Sequence, residues 1–150
     1  MKKVLWLIVC LMTMVVSANA QNGWDKMVYD ADELEGTESY TSYCYWDEDG
    51  MVVFNSNSSI YALSTNRGFF DYKGNSVSVI VGFYDLDGKL LKKETSLFYV
   101  SPGKRDCCFS SKEEGIFFKK YIEEERGYVR FIVPRYGKSN FDFKIPCMNN

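Results

Sequence analysis

Residues Ser76–Gly88 read "SVSVIVGFYDLDG". Val77, Val79, Val81 and Phe83 recur with the two-residue period of a strand and share one face. The other face holds Ile80 and Tyr84 and is only partly polar, which places this strand centrally in a sheet. Asp85-Leu86-Asp87-Gly88 is a turn, because Asp bonds to nearby backbone and Gly reaches positive φ without strain. The chain then enters a partner strand over Lys89–Val100. Lysines interrupt its alternation near Leu90–Lys93, as at an edge or a bulge.

The same grammar extends outward in both directions. Ser39–Trp46, "SYTSYCYW", is dense in β-forming residues, turns at Asp47–Gly50, "DEDG", and continues as Met51–Phe54. Ile60–Ser64, Phe69–Tyr72 and Trp24–Tyr29 are further short strands. Near the C-terminus, Val129, Phe131 and Val133 alternate with polar residues. So do Phe141, Phe143 and Ile145, with residues 134–140 joining the two runs as a long hairpin. One segment has a helical signature. Ser111 and Glu114 form a Ser-x-x-Glu capping box, Phe118, Tyr121 and Ile122 form an apolar stripe, and Gly127 stands just past the end. About eight short strands and one helix over about 111–126 predict a mainly β fold: a two-sheet antiparallel β-sandwich or flattened barrel, with the helix over an open end or an edge. The alternative is an α+β layer with the helix on one sheet face.

Residues 1–20 carry a compartment signal. Lys2 and Lys3 precede the apolar run Val4–Val16, and Ala18-Asn19-Ala20 is a small-x-small cleavage site. This is the pattern of a bacterial-type secretory signal peptide, too short in its apolar part to span a membrane. Cleavage before Gln21 leaves a single β-rich domain over residues 21–150, with no transmembrane segment, in the periplasm or outside the cell. The 20 acidic residues then face 16 basic ones, since Lys2 and Lys3 are two of the 18 in the whole chain. That balance argues against nucleic acid as a partner, which needs a clear basic surplus.

There is no histidine. This removes the usual general base near neutral pH, every Ser-His or Cys-His arrangement, and zinc sites that use imidazole. The two acidic turns resemble the centre of a calcium loop but fail its spacing. With Gly88 at position six, position one is Phe83, although Glu94 falls at twelve. With Gly50 at six, positions one and twelve are Tyr45 and Ser56. Both read as hairpin turns, and no metal or cofactor is expected.

Four cysteines remain after cleavage: Cys44, Cys107, Cys108 and Cys147. An even count in an exported chain suggests two disulfides. A bond between adjacent Cys107 and Cys108 closes a very small strained ring, so the expected pairing joins Cys44 and Cys147 each to one of them. The competing reading is a redox factor with a reactive thiol at a helix entry, but the C-x-x-C spacing of thioredoxin-like enzymes is absent. Tyr43 and Tyr45 are expected on the face opposite Cys44 and Trp46, where they could form an aromatic binding surface. No catalytic residue stands out. The sequence therefore predicts an exported, non-catalytic domain that binds a protein or a glycan. The alternatives are an enzyme using Cys107 or Cys108, and a structural accessory subunit.

Overall fold

A computed structural model describes residues 23–150 apart from 32, 35, 37, 56, 57, 101 and 102. The expected signal peptide and its cleavage site lie outside the described residues. The strands are β1 (Asp25–Tyr29), β2 (Tyr40–Asp47), β3 (Gly50–Asn55), β4 (Ile60–Ser64), β5 (Ser76–Tyr84), β6 (Leu90–Val100), β7 (Cys107–Phe109), β8 (Tyr128–Val133) and β9 (Phe141–Pro146). Between β7 and β8 lies α1 (Lys112–Lys119), which runs on as a π-helical turn over Lys120–Glu124.

The fold is mainly β with one helix, but the strands form one sheet rather than two. All nine are antiparallel, in the order β1-β2-β3-β4-β7-β6-β5-β8-β9. The reason lies in β7. Its three residues pair with β4 on one side and with β6 on the other. It splices the β1–β4 meander to the β6-β5-β8-β9 half, where a sandwich has two separate sheets. Sequence alone reads "CCF" as the entry to a helix, because three residues are too few to show a period.

The sheet curls around a core rich in aromatic rings. Phe118 of α1 enters its concave side and meets Tyr61 of β4, Phe83 of β5, Phe98 of β6 and Phe131 of β8, with ring centroids 5.7–6.3 Å apart. The helix starts as its sequence dictates. Ser111 Oγ accepts the Glu114 N–H at 3.1 Å, and the Glu114 carboxylate accepts the Ser111 N–H at 3.2 Å. It ends earlier than expected, at Glu124. Gly127 is not its cap; φ there is +131°, and a Cβ would lie 2.0 Å from the Tyr84 carbonyl oxygen. That glycine lets two backbones touch.

Curling brings the far ends of the sheet together along a seam. The outward N–H of Asp142 donates to Asp49 Oδ2 at 2.7 Å, and that of Lys144 donates to Asp47 Oδ2 at 3.0 Å. The next outward position is Pro146, which has no N–H, and its carbonyl accepts the Trp24 indole N–H at 2.9 Å. The outer edge of β9 is thus sealed by side chains where a closed barrel has a backbone ladder.

Three local expectations change. Phe69–Tyr72 is not a strand; it contributes one bridge, Phe70 to Arg135, and buries Phe70 against Phe141. The β6 lysines mark a bulge on an internal strand, where Phe83 pairs with Lys92 and Tyr84 with Leu90, leaving Leu91 over. The faces of β2 are reversed. Tyr43 and Tyr45 pack toward the main core, Cys44 joins a smaller outer cluster with Met51, Val53 and Ala62, and Trp46 is 64% exposed. Aromatic residues on both faces leave the phase of alternation undetermined. Contacts with distant rings decide it: Tyr43 stacks on Phe54 and Tyr45 meets Trp24. Among the described residues no helix is long and apolar enough to cross a membrane.

Candidate functional site: an aromatic depression at the seam

Where β2 ends, β8 begins and β9 ends, the surface sinks into an open depression of about 390 Å³. Tyr45, Tyr128 and Lys144 supply its polar groups, and Leu86 and Pro146 its apolar walls. Each is fixed by ordinary local structure. Leu86 sits on the β5–β6 turn, where Asp85 Oδ1 accepts the N–H groups of Asp87 at 3.0 Å and Lys89 at 2.8 Å. That turn is an Asx turn with its carboxylate committed to backbone, as expected for a hairpin. Asp47 also borders the depression, but its oxygens accept the N–H groups of Asp49 and Lys144. Asn150 forms another wall by clamping both backbone groups of Gly127, at 2.6 and 2.8 Å.

Tyr128 is held from both faces. Its ring stacks on Tyr84 at 4.7 Å with an interplanar angle of 5°, and the Lys144 ammonium lies 4.2 Å above its centroid. Tyr84 in turn covers Gly82, whose missing side chain makes room for the ring. The Tyr128 and Tyr45 hydroxyls and the Lys144 ammonium have no hydrogen-bond or ion-pair partner among the described residues. The depression therefore presents two phenolic hydroxyls and one cation between apolar walls, ready to bond with whatever enters.

Of the sequence-predicted surface, Tyr45 reaches this depression and Tyr43 does not; Tyr43 is half-buried against Phe54. Tyr128, Lys144 and Leu86 escaped sequence reading. They lie far apart in the chain and carry no motif, and only closure of the seam brings β2 beside β9.

Cys44, Cys107, Cys108 and Cys147 are all free and buried. Cys107 and Cys108 are consecutive on β7 and so point to opposite faces, Cys108 into the main core. Cys44 lies on β2, with β3 and β4 between it and β7. At one strand spacing each that is about 14 Å, twice the Cα separation a disulfide can bridge. The expected bonds from Cys44 and Cys147 to the adjacent pair are not formed in this structure. Burial pushes the Cys44 thiol up to about 12, with a smaller contribution from Asp25. Burial and then Asp106 push Cys107 to about 12, and burial and then Glu125 push Cys147 to about 11. Complete burial raises Cys108 well above the ordinary value as well. A redox or nucleophilic thiol shows the opposite signs, exposure and a lowered pKa. The buried phenol of Tyr61 is likewise raised, by burial first, then by Glu123 and Cys147.

Compared with known proteins, the chain matches no family model, no curated protein and no solved structure.

Proposed function

We propose that the mature chain is an exported, non-catalytic domain that binds a glycan in the depression between Tyr45, Tyr128 and Lys144. The observation that carries this reading is the set of three unpartnered donors over apolar walls. Sugars offer many hydroxyl acceptors on a ring with apolar C–H faces, so they match both features. The size supports a sugar over a folded protein partner. A pocket of 300–1,000 Å³ suits a small ligand, whereas a stable protein interface needs roughly 800 Å² from each side. Absence of histidine and the raised thiols favour binding over turnover.

The test is a titration of the secreted protein, its N-terminus first checked at Gln21 by intact mass, against neutral oligosaccharides, followed by backbone NMR. Shifts should centre on Tyr45, Tyr128 and Lys144. Replacing Tyr128 by Ala should weaken binding about tenfold, the scale of one lost hydrogen bond at about 1–1.5 kcal/mol. The glycan reading fails if no saccharide shifts these residues, or if Tyr128→Ala binds as well as the wild type with its fold intact.

A further inference from the structure

We infer that the cluster around Arg105 is a second binding site, which takes the carboxylate of an acidic sugar. This rests on the glycan reading above but concerns a different part of the surface. Three loops meet here: the one after β4, the one before β7 and the one between β8 and β9. Backbone bonds lock them together. Phe70 N–H donates to the Arg105 carbonyl at 2.9 Å, Asp71 N–H to that of Pro134 at 2.8 Å, and Tyr136 N–H to that of Phe69 at 3.1 Å. Three rings are thereby held around one guanidinium, whose carbon lies 5.6 Å from the Phe69 centroid, 5.2 Å from Tyr72 and 5.8 Å from Tyr136.

Two features of this cluster leave it open to a ligand. Phe69 is 53% exposed and Tyr136 67% exposed, so their rings bury little. Arg105 itself has no ion pair and no side-chain hydrogen bond among the described residues. Its neighbours differ. Arg67 pairs with Asp49, Arg130 with Asp142, and Arg135 donates to the Arg67 carbonyl while lying over Phe141. In a chain with more acids than bases, the Arg105 guanidinium sits among aromatic rings with neither a carboxylate nor a carbonyl on its N–H groups among the described residues.

The chemistry of such a group is specific. Ring quadrupoles attract the cation without taking up its N–H donors, which stay available to a ligand. Those donors form a fork matched to a planar carboxylate, which a guanidinium binds with two parallel charge-assisted bonds. The exposed rings beside it offer flat apolar faces. A hexuronate residue satisfies both, with its carboxylate in the fork and its C–H face on Phe69 or Tyr136. A neutral sugar satisfies only the rings. The site is independent of the depression, because Tyr128 opens β8 and the loop bearing Tyr136 follows its far end, about 17 Å away at the strand rise.

The experiment compares an oligogalacturonate with its fully methyl-esterified form, the same chain without charge. The acid should bind about tenfold more tightly at low salt, and the preference should shrink as salt rises. Arg105→Gln should abolish the preference and leave ester binding in the depression unchanged. Arg105→Lys, which keeps the charge but loses the fork, should lose most of it. Circular dichroism checks that both variants fold. If the ester binds and the acid binds no better, the Arg105 inference is wrong and the glycan reading stands. If Arg105→Gln keeps the acid preference, or if a Glu-rich peptide shifts the Arg105 cluster while the uronate does not, the inference is also wrong. If neither saccharide binds anywhere, both readings fall.

Discussion

Four buried thiols make the stability of this domain steeply sensitive to alkali. In the unfolded chain a thiol ionises near its ordinary value of 9.0, whereas in the folded one Cys147 holds its proton to about 11 and Cys44 and Cys107 to about 12. Cys108, fully buried, also holds it well above the ordinary value. Between those limits the folded state binds more protons than the unfolded state, so stability falls as pH rises. It is whole below about pH 8 and lost progressively above about pH 9. At pH 10 each thiol costs about 1.4 kcal/mol, and the four together about 6 kcal/mol, against a typical total of 5–15 kcal/mol. The assay is urea unfolding at a series of pH values from 7 to 10.5, with a phosphine reductant to keep the thiols free. The slope of stability against pH near 10 should correspond to about four protons, the four thiols and about half of the buried Tyr61 phenol. Replacing Cys44 or Cys107 by Ala should lower that number by about one each, whatever the cavity costs at neutral pH. A flat profile to pH 10.5, or an unchanged slope in both variants, would refute the argument.

Two further outcomes follow from close contacts. Gly115→Ala should destabilise by about 2–3 kcal/mol despite the better helix propensity of alanine, because its Cβ would lie 1.6 Å from the Ser59 carbonyl oxygen. Gly82→Ala should cost less than about 1 kcal/mol, since the atom it meets at 2.8 Å belongs to the movable Tyr84 ring; denaturant midpoints compare the two. Asp49→Ala should cost about 1–2 kcal/mol by orphaning the Asp142 N–H. Its opened β9 edge should also raise the rate of aggregation, read by light scattering.

The parts of this fold that the sequence makes legible are those whose information is local. The β5 alternation, the β8–β9 hairpin and the capping box each need only a few neighbouring residues, and each appears where expected. What sequence does not show depends on residues far apart. The phase of β2 is set by Trp24 and Phe54, and the union of two sheets by a three-residue strand. Glycine punctuation also misleads: Gly127 looks like a helix terminator and is in fact a gap for the Tyr84 backbone. The depression was half legible, through Tyr45. Its other members come from strands that meet only across the seam.

That seam joins residues 93 and 97 positions apart in the chain, and this has a bearing on how the protein is made. During synthesis the β2–β3 turn exists long before β9 does. A backbone ladder waiting that long for its last strand would present a bare row of donors and acceptors to other nascent chains. Here the half that emerges first is a pair of aspartate carboxylates, which water solvates well. The partner that arrives last brings the hungry N–H groups and meets its acceptors already in place. Order of emergence thus protects the incomplete molecule, with the hydrated side of the join kept in front until the chain is finished.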